Sequence, residues 1–377
     1  MHFINSTVNY IKNKFQVDSA LLWSLVLLFI FGTASFFSAA LGVMERNQDK
    51  FYAITSSQLF QALPLAIIGL SIGILVPISW HYKLAPIYYV IGVGISVLVF
   101  IPSLSLHHNG ASRWLDIGGV TLQPSETLKF ALVASTAWLC IKYKKYILKK
   151  YTGIIYYGIF MAPLLIVMGL QKDMGTLLII LSGSAVALFV SGVKARLVTI
   201  GAALGVITLI LLIALSPFRM QRITTFMNPE SDAQGKGYHI IQSLIAVGRG
   251  GVWGQGYGQS VQKFGTYLPE ATSDSIFAII GEEWGFVFST MFIILIAYIV
   301  LRGYYIALNS KDLFSKCLAS GITTLFGMQS VLNIGSMIAL MPMTGVPLPL
   351  VSHGGTALAI MATQMGILLN ISNENIN

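Results

Sequence analysis

One aspartate stands where it could act as a base on a substrate that lies partly in water and partly in lipid. Asp274 ends a long glycine-rich segment and comes directly before an apolar run that begins near Ser275. A carboxylate at a helix start is most often a cap that accepts hydrogen bonds from backbone N–H groups. The alternative is a general base, placed where a sugar in water and a lipid tail could both reach it.

Two further carboxylates, Glu282 and Glu283, lie inside the apolar run that follows. An ionisable group in such a run is costly and is therefore a candidate for function. Neighbouring residues point about 100° apart on a helix, so these two cannot easily share one site. At least one should face a polar cavity or a cation, for which the candidates are Arg219, Arg222 and Lys129.

A third acidic group could form an ion pair within its own helix. Glu126 and Lys129 are three residues apart, so they share one helix face and can pair. Pro124 suits the first turn of that helix. The pair could hold helices together, or Lys129 could hold a lipid-linked pyrophosphate, and both interpretations stay open at this point.

Two short segments place charged residues next to predicted helices. Arg113 beside Trp114 could bind a phosphate, although a tryptophan at a membrane interface is usually only an anchor. Asp173 lies at a tight turn between two apolar runs, and we interpret it as a helix cap.

The segment 345–356 contains two prolines and paired glycines at the edge of the last apolar run. Broken backbone at membrane depth is tolerated only against protein or a water-lined cavity, so Ser352 and His353 are candidate binding residues. The chain has no phosphate-binding loop, dinucleotide fingerprint, zinc motif or serine-hydrolase elbow. Cys140 and Cys317 lie far apart in apolar runs and indicate neither a disulfide nor a metal site.

The elements that must position these residues are membrane helices. Of the 377 residues, 55% are hydrophobic and 10% are charged, whereas a soluble domain has about 25% charged residues. Because a span needs about 20 apolar residues, the sequence predicts an all-α polytopic membrane protein with ten transmembrane helices. They lie near 20–42, 57–79, 84–103, 124–142, 153–170, 174–193, 196–216, 275–301, 314–341 and 353–371.

The distribution of charge predicts an orientation for these helices. A cytoplasmic N-terminus places more than half of the 23 basic residues on the cytoplasmic side, above all the run 142–150. This satisfies the positive-inside rule and makes the C-terminus cytoplasmic as well. The net charge of +9 is spread over short loops, so it indicates a membrane rather than a nucleic-acid partner.

The same topology predicts a large extracytoplasmic loop between helices 7 and 8, at about 217–274. Loops longer than about 12–15 residues are usually functional or disordered. Residues 238–247 have the periodicity of a short amphipathic helix at the membrane interface. We therefore expect the loop to be ordered.

A series of short motifs, taken in order, resembles one known family over about residues 20–371. The motifs are Arg113-Trp114, Gln123-Pro124-Ser125-Glu126, Asp173-Met174-Gly175-Thr176, Asn228-Pro229, Gly237-Tyr238-His239, Gln242-Ser243, Gly248-Arg249-Gly250-Gly251, Gly256-Tyr257-Gly258, Leu268-Pro269-Glu270-Ala271, Gly281-Glu282-Glu283 and Pro349-Leu350-Val351-Ser352-His353-Gly354-Gly355. They resemble the SEDS family (shape, elongation, division and sporulation). Within it, residues 258–271 are more similar to the division type, FtsW, than to the elongation type, RodA.

The resemblance implies a single SEDS-type transmembrane domain, 1–377, in the bacterial cytoplasmic membrane. It implies a peptidoglycan glycosyltransferase that polymerises lipid II, an undecaprenyl-pyrophosphate-linked disaccharide peptide, into β-1,4 glycan strands on the outer face. The implied partners are a class B penicillin-binding protein and other divisome or elongasome membrane proteins. The family's essential acid matches Asp274. The chain departs from the family pattern at Thr272, Lys172 and His353, where histidine, proline and tyrosine are usual.

Such a reaction would invert the anomeric carbon, with a GlcNAc 4-hydroxyl attacking in line. A positioned base contributes roughly 10²–10⁴ in rate, but a carboxyl with the ordinary pKa of about 3.9 must be desolvated to serve. The leaving pyrophosphate needs positive charge, from a cationic side chain or from Mg²⁺ or Mn²⁺. The candidate substrate-binding residues are Arg113, Trp114, Glu126, Lys129, Arg219, Arg222, Glu270, Glu282, Glu283, Ser352 and His353.

Two other classes of function fit the same features. A lipid II flippase would also need a polar cavity, but it requires a path between the leaflets, whereas the acids cluster on the outer side. A non-catalytic scaffold for the transpeptidase would tolerate substitution of Glu126, Lys129 and Asp274. Glycan polymerisation measured against lipid translocation in liposomes separates the three.

Overall fold

The chain folds into a nearly all-helical body. The computed structural model describes residues 17–108, 111–117, 120–147, 150–214, 216–232, 235–264 and 267–376. The helices are α1 (Ser19–Arg46), α2 (Gln48–Ser57), α3 (Leu63–Leu75), α4 (Ile78–Leu98), α5 (Pro124–Lys142), α6 (Lys144–Ile147), α7 (Lys150–Gln171), α8 (Met174–Val190), α9 (Ala195–Ala214), α10 (Pro217–Met227), α11 (Lys236–Arg249), α12 (Ile276–Asn309), α13 (Leu313–Met337) and α14 (Gly355–Ile376).

Five helical segments of the described chain are clearly long and apolar enough to cross a membrane, as expected for a multipass membrane protein. They are Ser19–Arg46, Gln48–Leu75, Ile276–Asn309, Leu313–Met337 and Gly355–Asn373. All ten predicted runs overlap helices, but their number as membrane spans stays a prediction. The second predicted run starts too late in the sequence. A π-helical turn, Gln58–Ala62, joins α2 to α3, so the continuous helical segment begins at Gln48 rather than near residue 57.

A small antiparallel sheet departs from the all-α prediction. Strands β1 (Ser105–His108), β2 (Ala111–Ile117) and β3 (Val120–Leu122) pair in sequence order between α4 and α5. Leu106 lies opposite Trp114, and Leu115 lies opposite Leu122. A search for long apolar runs misses strands of three to seven residues, because they pair with their neighbours in sequence and give no extended pattern.

Small residues let the helices approach closely. The α-carbon of Gly73 in α3 faces α14 so closely that an added Cβ would lie 2.3 Å from the Thr363 carbonyl oxygen. The side chain of Asn370 then donates to the carbonyls of Gly73 (3.2 Å) and Val76 (2.5 Å). Close backbone approach and polar cross-links of this kind are typical of helix pairs in membranes.

Helix α12 is broken at Gly285, and an earlier segment of the chain fills the break. Gly285 has φ +69° and ψ −174°, which is outside the helical region. Backbone groups freed there pair with residues 251–256 instead of with the helix, as buried polar groups require. The bonds run from Gln255 N–H to Glu282 O (3.0 Å), Gly256 N–H to Glu283 O (3.0 Å), Phe286 N–H to Gly251 O (2.9 Å) and Val287 N–H to Val252 O (3.2 Å).

Candidate active site

Asp274 lies on a tight turn that directly precedes α12. The Asn333 side chain of α13 donates to the Asp274 carbonyl (2.8 Å), and the Ser275 hydroxyl donates to the Pro269 carbonyl (2.7 Å). These bonds fix both ends of the turn 269–275. Ser275, rather than Asp274, is the N-cap residue of α12, and its side chain makes no capping bond. The cap interpretation of Asp274 is therefore wrong.

The segment 345–353 forms one wall beside this turn. Ser352 donates from its hydroxyl to the Ser273 carbonyl (2.5 Å), and the His353 backbone N–H donates to the Thr272 carbonyl (2.8 Å). The His353 ring bonds to the Gln58 side chain (2.8 Å). The structure thus brings Ser352 and His353 to the aspartate turn, as the sequence predicts for residues of one site.

The Asp274 carboxyl has the environment that a base requires. It keeps part of its surface exposed, although protein atoms surround it closely. Burial is the main cause that raises the pKa of Asp274 from 3.8 to about 7, and the neighbouring Glu270 carboxylate adds to it. Glu270 itself is exposed, with φ +47°. At neutral pH a substantial fraction of Asp274 is ionised, and it is then a much stronger base than an ordinary aspartate.

Two arginines bring positive charge near this carboxyl. Burial lowers the pKa of Arg222 in α10, and Arg113 lowers it further, while the carboxylates of Asp173 and Asp274 oppose the change. These four groups are therefore close enough to interact. Arg113 also donates to the Lys172 carbonyl (2.7 Å), which fixes its guanidinium.

The neighbours of these arginines have simpler roles. Asp173 accepts from the backbone N–H (3.3 Å) and the hydroxyl (2.9 Å) of Thr176, so the predicted cap of α8 is confirmed. Trp114 is half-buried on β2. The side chain of Arg219 lies outside the described part of the chain.

The predicted pair of Glu126 and Lys129 is confirmed, and both side chains are buried. The two groups are 2.7 Å apart and 2% or less exposed. Lys129 also donates to the Gln329 side chain (2.5 Å), which donates in turn to the Pro347 carbonyl (2.9 Å). The pair thus connects with the 345–353 wall through Gln329, and its contact with a substrate stays a prediction.

Glu282 and Glu283 have cationic partners, but not those predicted. Glu283 lies 2.6 Å from Lys263, whose side chain is fully buried, and Glu282 lies 3.3 Å from Arg249. Lys129, Arg219 and Arg222 were the expected partners. The expected partners are wrong because residues 249–264 fold back over α12 and bring their own cations to it, Arg249 at the end of α11 and Lys263 in the segment that follows. Further bonds come from Ser38 to Glu283 (2.6 Å) and from Ser260 to Glu282 (2.6 Å).

Sequence reasoning missed two polar residues of this site. His239 of α11 lies 2.5 Å from the Ser275 hydroxyl, and Asn333 holds the Asp274 backbone. His239 stands within the predicted amphipathic helix, which the structure confirms as Lys236–Arg249. Its position in a motif was the available signal, but nothing local indicated that it would face the turn.

The described residues offer no protein-built metal site. Across these ranges, no three His, Cys, Asp or Glu side chains come together in a way that could hold an ion.

Comparison with known proteins places this arrangement in a family. A family model described as a cell cycle protein, covering FtsW, RodA and SpoVE, matches residues 19–377. The chain is 40% identical to stage V sporulation protein E of Bacillus subtilis over 278 residues, which is 73% of this chain and 75% of that protein. It is 35% identical to the probable peptidoglycan glycosyltransferase FtsW of Buchnera aphidicola, over 96% of both chains.

Solved structures share the fold. One is a chain from a study of polymerisation and crosslinking by a peptidoglycan synthase complex, with a TM-score of 0.76 and 24% identity. Another is the rod shape determining protein RodA of Thermus thermophilus, with a TM-score of 0.67 and 23% identity. Each match covers 96% of this chain and 99% of the other.

Proposed function

This chain belongs to the FtsW/RodA/SpoVE family of cell cycle proteins, and we propose that it is a peptidoglycan glycosyltransferase that polymerises lipid II. The relatives named as FtsW match it over nearly their whole length. The observation that carries the proposal is the partly exposed Asp274 carboxyl, whose pKa is raised to about 7.

The chemistry follows from the geometry of the turn. Asp274 takes the proton from the GlcNAc 4-hydroxyl of the acceptor while that oxygen attacks the anomeric carbon of the donor. The bond to the pyrophosphate breaks on the opposite side, so the α-linked donor gives a β-1,4 product. A base with a pKa near the working pH is the most efficient compromise between being ionised and being basic.

Arg222 and Arg113 supply the positive charge for the leaving pyrophosphate. Arg222 interacts electrostatically with both Asp274 and Arg113, so the two arginines lie near the carboxyl. A guanidinium forms strong, charge-assisted bonds to phosphate oxygens. An Mg²⁺ or Mn²⁺ ion would bind the substrate pyrophosphate together with water and one or two carboxylates, for which Asp274 and Glu270 are the candidates at this turn. Activity after chelation with EDTA tests this point.

The proposed topology has ten membrane spans with both termini in the cytoplasm. The basic run 142–150 supports this orientation. It places the turn of Asp274 and the loop 217–274 on the outer face, where lipid II presents its sugar. Cysteine accessibility at Lys145 and Gln255 from either side of the membrane tests the assignment.

We propose a class B penicillin-binding protein as the partner, because a polymerised strand must also be crosslinked. The structural likeness to a chain of a peptidoglycan synthase complex supports this choice. The division role is favoured over elongation by the relatives named FtsW.

The decisive experiment gives lipid II to the purified protein with its partner. We expect long glycan strands from the wild type and none from a folded Asp274→Asn variant. Wild-type activity in that variant would remove Asp274 from the mechanism. If the protein moves lipid II across the bilayer of liposomes and makes no glycan strands, a flippase is favoured. If the partner's transpeptidase activity is unchanged when Glu126, Lys129 and Asp274 are substituted, a scaffold is favoured.

A further inference from the structure

The Ser275 hydroxyl lies between three groups that compete for its single proton. The Pro269 carbonyl is 2.7 Å away, His239 Nε2 is 2.5 Å away, and Asp274 Oδ1 is 3.4 Å away. A hydroxyl has one hydrogen to donate and two lone pairs that accept. The geometry therefore decides which neighbour receives the hydrogen.

The two short contacts assign the hydrogens. A carbonyl oxygen can only accept, and 2.7 Å is an ordinary distance for an O–H···O bond, so Ser275 donates to Pro269. The short contact with His239 is then satisfied only if Nε2 carries the hydrogen and donates to Ser275. Burial lowers the pKa of His239 to about 4, so the ring is neutral at working pH, with Nε2 protonated.

We propose that His239 is a positioning residue for the reaction: it holds the Ser275 hydroxyl on the Pro269 carbonyl, so that this donor keeps only a long contact of 3.4 Å with the Asp274 carboxylate. This inference rests on the proposed function. Without the His239 contact, Ser275 could turn towards Asp274, because an ionised carboxylate is a stronger acceptor than a carbonyl.

A shorter hydrogen bond from the Ser275 hydroxyl to the Asp274 carboxylate would weaken Asp274 as a base. A hydrogen bond to the charged form of a carboxyl lowers its pKa. The other charged groups that face this carboxyl are Glu270 on its own turn and Arg222 on α10. The residues that contact the turn from α13 and from 345–353 are Asn333, Ser352 and His353. His353 contacts the turn through its backbone N–H, and its ring bonds to the Gln58 side chain instead.

The test is the pH dependence of kcat/KM for lipid II polymerisation, whose acidic limb reports the base of the free enzyme. We expect His239→Met to move this limb to lower pH by about one unit, the effect of one charge-assisted hydrogen bond. His239→Gln retains a donor and should leave the limb near that of the wild type. KM should change less than kcat in either variant, since the proposed role of His239 is exerted on the base through Ser275.

A double variant separates positioning from a general packing effect. In a Ser275→Ala background the hydroxyl is gone, so adding His239→Met should produce no further shift of the limb. An unchanged limb in the single His239→Met variant, or an equal shift with and without Ser275, would overturn the proposal. Where His239→Met fails to fold, as judged by thermal unfolding in detergent, His239→Leu, which also lacks a donor, takes its place.

Failure of this inference and failure of the proposed function give different results. If the wild type with its partner makes no glycan strands from lipid II, the proposed function fails. If Asp274→Asn keeps full polymerase activity, Asp274 is not the base, and the inference about His239 fails while the polymerase function stands. If Asp274→Asn is inactive while the limb of His239→Met stays in place, only the role of His239 is lost.

Discussion

Replacing Asp274 with asparagine should stabilise the folded protein while it abolishes polymerisation. The ionised Asp274 carboxyl lowers the free energy of unfolding, because its pKa in the folded protein, about 7, lies above the ordinary value of 3.8. A raised folded pKa means that the fold prefers the protonated, neutral form. The stability that Asp274 contributes is then complete below pH 4 and is lost as the pH rises to 7. Asparagine is neutral throughout and loses nothing.

The size of the effect follows from the pKa shift. From 3.8 to about 7 is about three units, and each unit corresponds to about 1.4 kcal/mol, which gives an upper limit of about 4 kcal/mol. Asp274 keeps part of its surface exposed, and solvent reduces such terms, so we expect about 1–2 kcal/mol at pH 8. The melting temperature should rise by roughly 2–4 °C for each kcal/mol.

The assay is thermal unfolding of wild type and Asp274→Asn in detergent at pH 4, 6 and 8. The difference between the two proteins should be near zero at pH 4 and should grow through pH 6 to its largest value at pH 8. Glu45→Gln, which removes one negative charge from an exposed site, serves as the control and should show no such growth. A difference that is constant with pH, or one that favours the wild type at pH 8, would refute the reasoning.

Three further predictions concern the elements around the site. Gly285→Ala should sharply reduce the yield of folded protein, because the added Cβ would lie 2.2 Å from the backbone nitrogen of Gly254. The control, Gly158→Ala, adds a Cβ that meets nothing within 4 Å and should leave the yield unchanged. Size-exclusion chromatography in detergent measures both yields. Lys263→Met strands the buried Glu283 carboxylate and should cost about 3–5 kcal/mol; adding Glu283→Met should recover much of it in thermal unfolding, and no recovery would contradict a role as an isolated ion pair. Arg222→Gln should lower kcat/KM for lipid II about tenfold, as expected for one lost charge-assisted bond of about 1.4 kcal/mol or more. An unchanged kcat/KM in initial-rate measurements would exclude contact with the pyrophosphate.

The sequence predicts those parts of this structure that depend on local pattern. Long apolar runs predict the helices, because a run of this kind has few other stable forms in a membrane. The cap at Asp173 and the pair of Glu126 and Lys129 follow from spacings of three residues, and the structure contains both. The position of Asp274 at the end of the long loop likewise follows from its place before an apolar run.

The partners that tertiary packing selects were beyond such reasoning. Lys263 meets Glu283, and His239 meets Ser275, because a loop folds back over α12. These residues are separated by 20 and 36 positions, and no helical or strand period connects them. The break at Gly285 was also invisible, since a glycine inside an apolar run can be an ordinary helix residue.

The filled break in α12 has a consequence for how the protein reaches the membrane. Four backbone groups beside Gly285 bond to residues 251–256, and each would cost several kcal/mol if it met hydrocarbon alone. Those residues are synthesised before Gly285, so the complement is already made when the ribosome delivers the helix. For α12 to lie in hydrocarbon without unpaired backbone groups beside Gly285, this stretch must be docked against it. Chimeras between relatives should therefore exchange both pieces together.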